Sequence, residues 1–220
     1  MNNENYLLKT GGRTASHLIV SHFVKHGYKH YSIFKNNPTE VFNSIENNTS
    51  AIVHDHSLDH PVNTNDWNLI INKRKDLFSL ALSAALAWKN GNYGGKPRDE
   101  TYNIRIEKNE FEIDLFKKCR YQNYYDLLVT HYSHLWKSVN VIYYEDFINN
   151  PTKLSNVFGG NTLHEWNDTI TYPSLDHKKS VSNYDELKYY YNDERVANIN
   201  NESKISALAD FKKTIKGYNL

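Results

Sequence analysis

The chain is poor in several features that would mark large function classes. It has one cysteine, Cys119, in 220 residues. That excludes an intramolecular disulfide and any cysteine-rich zinc site, and it fits a reducing compartment. Nowhere do about 18 apolar residues run together, so no membrane-spanning helix is expected. The opening residues, Met1-Asn2-Asn3-Glu4-Asn5, lack the charged start and apolar run of a signal peptide. The expectation is a soluble, cytoplasmic protein with no membrane partner. Charge of one sign is also lacking: 26 Lys and Arg stand against 25 Asp and Glu, a net charge of +1. No nucleic-acid partner is therefore expected, and any anion site has to be local. A Walker A loop, GxxxxGK[ST], is absent, which argues against a kinase.

What is present points to a folded domain. Apolar residues make up 39% of the chain and aromatics 14%, with 17 tyrosines. At this length a single domain over 1–220 with a sizeable core is expected. Short apolar strands are read at Tyr6–Leu8, His30–Phe34, Ala51–His56, Trp67–Asn72 and Val139–Tyr144. Helices are read from the glycine turn at Gly11-Gly12 to about His26, with Thr14 or Ser16 as cap, and over Pro38–Ile45 with Asn37 as cap. Further helices are expected over Lys75–Lys89, Asp114–Lys137, Asn150–Phe158 (closed by Gly159-Gly160), Ser182–Tyr191 and Glu202–Lys216. Gly91–Pro97 reads as a loop, residues 161–181 are loop-like, and Asn103–Phe111 resists assignment. Strands alternating with helices imply an α/β fold, a mostly parallel sheet flanked by helices. Ligands of such sheets bind beyond the carboxyl ends of the strands. The polar strand ends at Lys9, at His54–His56 and at Asn72–Arg74 are expected to converge there.

Four constellations carry chemistry. The first is Lys9-Thr10-Gly11-Gly12-Arg13-Thr14, a strand entering a helix through glycines. Backbone N–H groups and a helix dipole aimed at one point suit a phosphate or sulfate. The bland alternative is an ordinary strand–turn–helix. The second is Asn72-Lys73-Arg74-Lys75-Asp76 followed by Ser83, three cations at the end of an apolar strand. Lys75 and Ser83, eight residues apart, share a helix side, whereas Arg74 is nine away. Either cation could take a phosphate, and a solvated basic helix start is the plain reading. The third is His54-Asp55-His56, whose two imidazoles point to one strand face. Imidazole titrates near neutrality and can accept a hydroxyl proton; a zinc pair or a structural pair are the alternatives. The fourth is Tyr143-Tyr144-Glu145-Asp146-Phe147 with Asn150-Pro151 and Phe158-Gly159-Gly160. Its acids are read as architectural.

Together, and in this order, these segments resemble sulfotransferases that use PAPS (3′-phosphoadenosine 5′-phosphosulfate). Lys-Thr-Gly-Gly resembles their 5′-phosphosulfate loop. Arg74-Lys75-Asp76 with Ser83 resembles their 3′-phosphate motif, and the histidine-ending strand their base. Lys178-Lys179-Ser180-x-Ser182-Asn183-Tyr184-Asp185-Glu186 resembles the tail of some bacterial and viral members. The resemblance spans roughly residues 5 to 187, with none from about 91 to 138. It implies a P-loop-type sulfotransferase fold and sulfuryl transfer from PAPS to a hydroxyl or amine of a small-molecule or carbohydrate acceptor, without a metal. It implies that Lys9 stabilises the leaving phosphate and that Thr10, Gly11, Gly12, Arg13 and Thr14 cradle the phosphosulfate. Arg74, Lys75 and Ser83 would hold the 3′-phosphate, with Lys179 near the nucleotide. His56 is the first choice of base and His54 the second. Arg13 stands where the family has a small hydroxyl residue, so the runner-up reading is a nucleotide- or polyanion-binding module without transfer.

Overall fold

A computed structural model describes residues 4–12, 14–33, 38–45, 49–58, 65–90, 103–148 and 176–218, with side chains to residue 215. Five strands form one sheet: β1 (Asn5–Thr10), β2 (Lys29–Ser32), β3 (Ala51–Asp55), β4 (Trp67–Lys73) and β5 (Ser138–Tyr143). Their order is β2-β3-β1-β4-β5 and every pairing is parallel. The protein is thus α/β with an all-parallel sheet flanked by helices.

Alternation along the strands sorts the core into two faces. Leu7, Val53, Leu69 and Ile71 meet Tyr124, Tyr125 and Leu128 of helix α4 (Lys108–Tyr132) and Phe211 of helix α8 (Asp193–Tyr218). Tyr6, Leu8, Ile52 and Ile70 meet Ile19, Val20 and Phe23 of helix α1 (Ser16–Lys25). Burial on both faces is why β1, β3 and β4 read as continuous apolar runs. A third cluster joins helix α3 (Leu77–Lys89) to α4 through Phe78, Leu82, Leu86, Phe111, Leu115 and Cys119. The remaining α-helices among the described residues are α2 (Pro38–Asn43), α5 (Tyr144–Ile148), α6 (His177–Ser180) and α7 (Tyr184–Tyr190).

Several boundaries differ from expectation for physical reasons. Neither Thr14 nor Ser16 caps α1; Ala15, at φ 54°, precedes it with no side-chain cap. The Thr14 hydroxyl is committed instead to Thr10 Oγ1 at 2.6 Å and to Asn72 Nδ2 at 3.0 Å. Helix α4 begins at Lys108 rather than Asp114, because the Glu110 carboxylate reaches back to accept the Glu107 N–H at 3.1 Å. It ends at Tyr132, and a 3-10 turn, Ser133–Leu135, follows. Helix α8 begins nine residues before the expected Glu202, at Asp193. Its early turns are polar but not idle: Asn123 of α4 donates to Asn200 Oδ1 and to Ser203 Oγ. The Glu145 segment forms α5, and His177–Ser180, read as loop, is α6. Asn37, the Gly91–Pro97 loop and the Asn150–Phe158 helix lie outside the described residues. No helix among the described residues is long and apolar enough to cross a membrane.

Cys119 has no exposed surface, and burial pushes its thiol up to about 12. Thiolate is the reactive form. A disulfide reagent at pH 7 should therefore leave Cys119 unlabelled in the native protein and label it fully in denaturing urea. Rapid native labelling would contradict this packing.

Candidate functional site

The sheet order itself selects a place. The chain leaves β1 toward β2 and leaves β4 toward β5, in opposite directions, while β1 and β4 lie side by side with Thr10 opposite Asn72. The crevice of a parallel sheet opens beyond the carboxyl ends of two such strands. The glycine loop between β1 and α1 sits there.

Two glycines serve the loop differently. Gly12 has φ +76°, a left-handed angle that a Cβ resists. Gly11 is limited by space: a Cβ there would lie 3.1 Å from Cβ of Tyr121 on α4. Polar side chains then tie the loop down. Gly12 N–H donates to Thr10 Oγ1 at 3.2 Å, and Asn72 Nδ2 donates to the Thr14 carbonyl at 2.8 Å. The Lys118 ammonium, from α4, donates to the Gly11 carbonyl.

Lys9 and Asp55 face each other in neighbouring strands and form an ion pair with 0% and 1% of their side chains exposed. The other Asp55 oxygen accepts the Ser57 N–H at 2.7 Å, and the Ser57 carbonyl lies 3.4 Å from Lys9 Nζ. This pair is local neutralisation inside the sheet edge, where an unpaired charge would be very costly.

The histidines sit beside the loop. His56 Nδ1 lies 3.2 Å from the Thr10 carbonyl, which can only accept. Nδ1 therefore carries the proton, and Nε2 of the neutral ring holds the lone pair. Burial pulls the His56 pKa down to about 4, helped by Lys118 and His17 and opposed by the Thr10 bond and Asp55. His54 is 2% exposed, its ring 4.2 Å from that of His56 and 5.4 Å from that of His17. Burial, then its histidine neighbours, take His54 down to about 2, and its Nε2 has no hydrogen-bond partner. Both imidazoles are neutral at pH 7. Among the described residues, no group of His, Cys, Asp or Glu is placed to hold a metal ion.

The structure thus gathers Lys9, Thr10, Gly11, Gly12, Thr14, His54 and His56. It gives Arg74, Lys75, Ser83 and Lys179 carboxylate or imidazole partners. Arg74 Nε is 3.4 Å from Glu145 and its guanidinium lies over the Tyr144 ring. Lys75 Nζ is 2.6 Å from Asp146, while the Lys75 and Asp76 N–H groups both donate to the Glu145 carboxylate. Ser83 Oγ lies 2.8 Å from His177 Nε2, and Lys179 Nζ is 3.4 Å from Asp176. Arg13 lies outside the described residues. Asn72, named only as the start of a polar strand end, ties the loop down, and Lys118 and Tyr121 belong to the site without having been singled out. Lys118 and Tyr121 share a face with Asp114 at spacings of four and seven, a pattern that any long helix shows.

Compared with known proteins, the chain matches no family model, no characterised protein sequence and no solved structure.

Two outcomes follow. Asp55→Asn leaves the Lys9 ammonium buried without its counter-charge, and should cost about 3–5 kcal/mol in urea denaturation at pH 7. Lys9→Met combined with Asp55→Leu should recover most of that loss; no recovery would show that the pair is not what the site depends on. The second outcome concerns pH. His22, His54 and His56 all have lowered pKa values, to about 4, 2 and 4, with burial the first cause. Between pH 6.5 and 4 the unfolded chain therefore binds protons that the folded chain refuses. Stability should be full above pH 6.5 and fall steadily as pH drops through that window. A urea midpoint unchanged from pH 7 to pH 5 would contradict it.

Proposed function

We propose that the chain is a PAPS-dependent sulfotransferase built on a P-loop-type sulfotransferase fold. The observation that carries this reading is the glycine loop at the β1–β4 crevice, with a neutral imidazole beside it whose Nε2 is free of a proton. Charge on phosphosulfate oxygens is met by backbone N–H groups of the loop and start of α1 and by nearby cations. An acceptor hydroxyl attacks sulfur in line with the bond to the phosphate, and His56 Nε2 takes its proton. A pKa near 4 makes His56 fully available as a base at pH 7 but a weak one. Negative charge brought next to the ring by the bound ligand raises that pKa toward the range where a general base works well.

Lys9 and Arg74 act on the nucleotide by exchanging partners. Asp55 and Glu145 hold them, so phosphate has to compete with carboxylate. The same observation favours the second reading. If Glu145 and Asp146 never release Arg74 and Lys75, the 3′-phosphate has no grip there, and the chain binds polyanions without transfer.

The desulfated nucleotide PAP should raise the melting temperature, and ATP with Mg²⁺ should not. A shift with ATP–Mg²⁺ alone would overturn the assignment. Turnover is then measured as sulfate released from PAPS by water. His56→Ala should lower it by about two to four orders of magnitude with PAP affinity nearly unchanged, the range for a lost general base. PAP binding without any sulfate release selects the binding module.

A further inference from the structure

Tyr125 of α4 has no part in the reading above. Its side chain is fully buried, and its hydroxyl has no hydrogen-bond partner among the described residues. A phenylalanine would fill the same core without that loss, so the unpaired donor calls for a reason. Its surroundings supply one. Tyr125 packs in one cluster with Leu7 and Val53. Lys9 and Asp55 stand two residues further along the same strands, opposite each other, and therefore face α4 as well. One turn before Tyr125, Tyr121 meets the position of a Cβ on Gly11, two residues beyond Lys9. α4 thus runs against the direction of β1, and helical side chains lean toward the start of their helix. That lean carries the Tyr125 phenol toward the strand ends at Lys9 and Asp55. The Asp55 charge is felt there: after burial, it is the largest cause that pushes the phenol well above its ordinary range. Tyr125 therefore keeps its proton and stands as a neutral donor beside a carboxylate.

Among the described residues, Asp55 is held by two partners, the Lys9 ammonium and the Ser57 N–H. Take the ammonium away, and a carboxylate that is 1% exposed keeps only one backbone donor. Such a charge is very costly in a core. Resting on the sulfotransferase reading, in which Lys9 exchanges Asp55 for phosphate, we propose that Tyr125 is a positioning residue whose hydroxyl donates to Asp55 once Lys9 turns to the nucleotide. No proton is transferred, and Tyr125 makes no contact with the ligand. It acts through Asp55 and Lys9: by taking over the carboxylate it lowers the cost of releasing the lysine, and so favours a ligand that needs that lysine. A tyrosine that only fills the core would matter equally with Lys9 present or absent.

The test uses the full chain at pH 7, urea denaturation and PAP. Tyr125→Phe alone removes an unpaired hydroxyl, so its urea midpoint should equal that of wild type or exceed it. In Lys9→Met the ammonium is gone for good, and Asp55 has to turn to Tyr125. Adding Tyr125→Phe to Lys9→Met should therefore lower the midpoint. This reversal of sign is read without nucleotide. Tyr125→Phe should also weaken PAP binding by about tenfold or more in calorimetry, the loss expected for a hydrogen bond to a charged group. If Lys9→Met does not fold, the PAP comparison decides. The same change of midpoint in both backgrounds, or PAP affinity equal to wild type in Tyr125→Phe, overturns the role of Tyr125 alone. A wild type that does not bind PAP overturns the sulfotransferase reading and this inference with it.

Discussion

A parallel sheet has to be covered on both faces, and everything at this site follows from how the chain meets that demand. β1, β3 and β4 run side by side with almost no exposed surface between them. Helix α1 covers one face, and α4 with α8 the other. With its faces sealed, the sheet can offer chemistry only at its ends. The polar residues that close the central strands, Lys9-Thr10, Asp55-His56 and Asn72-Lys73, therefore emerge together at one edge. The loop from β1 to α1 has to thread between them.

Charge at that edge is balanced pair by pair. Lys9 has Asp55, Lys73 has Asp126, Arg74 has Glu145 and Lys75 has Asp146. A ligand that is to engage any of these four cations therefore has to compete with a carboxylate. What distinguishes the glycine loop is different in kind. It combines oriented backbone dipoles, neutral imidazoles kept neutral by burial, and one lysine anchored to a backbone carbonyl. Such a place favours a ligand that brings its own charge and is recognised by shape and orientation.

Much of this was legible in the residues. The continuous apolar runs Tyr6–Leu8, Ala51–Val53 and Leu69–Ile71 marked buried strands, and Gly11-Gly12 marked the turn. Helix α3 was legible from its apolar spacing, and Asp76 does accept the Ser79 N–H. The start of α4 was not, because Glu107 is an uncommon cap and the signal rests on a side chain folding back. The start of α8 was hidden by asparagines whose partner, Asn123, lies far away in the chain. The ion pairs were hidden for the same reason. Nothing near Arg74 announces that Glu145 will meet it, since β5 lies next to β4 only in the fold. Local pattern carried the elements, while pairing across the sheet decided which cations stand beside which acids.

The two adjacent glycines of the loop obey different constraints, and they would respond differently to repair. The obstacle to a side chain at position 12 is the backbone angle of that residue itself. No change elsewhere removes it while the loop keeps its shape. The obstacle at position 11 is a helix more than a hundred residues along the chain, where Tyr121 presses on the turn. The atom met at position 11 is Cβ of Tyr121, so a defect at Gly11 is open to a second-site suppressor in α4 where Tyr121 becomes glycine. A defect at Gly12 has no such remedy. In a selection for revertants, position 11 would trade with α4, and position 12 would return only to glycine.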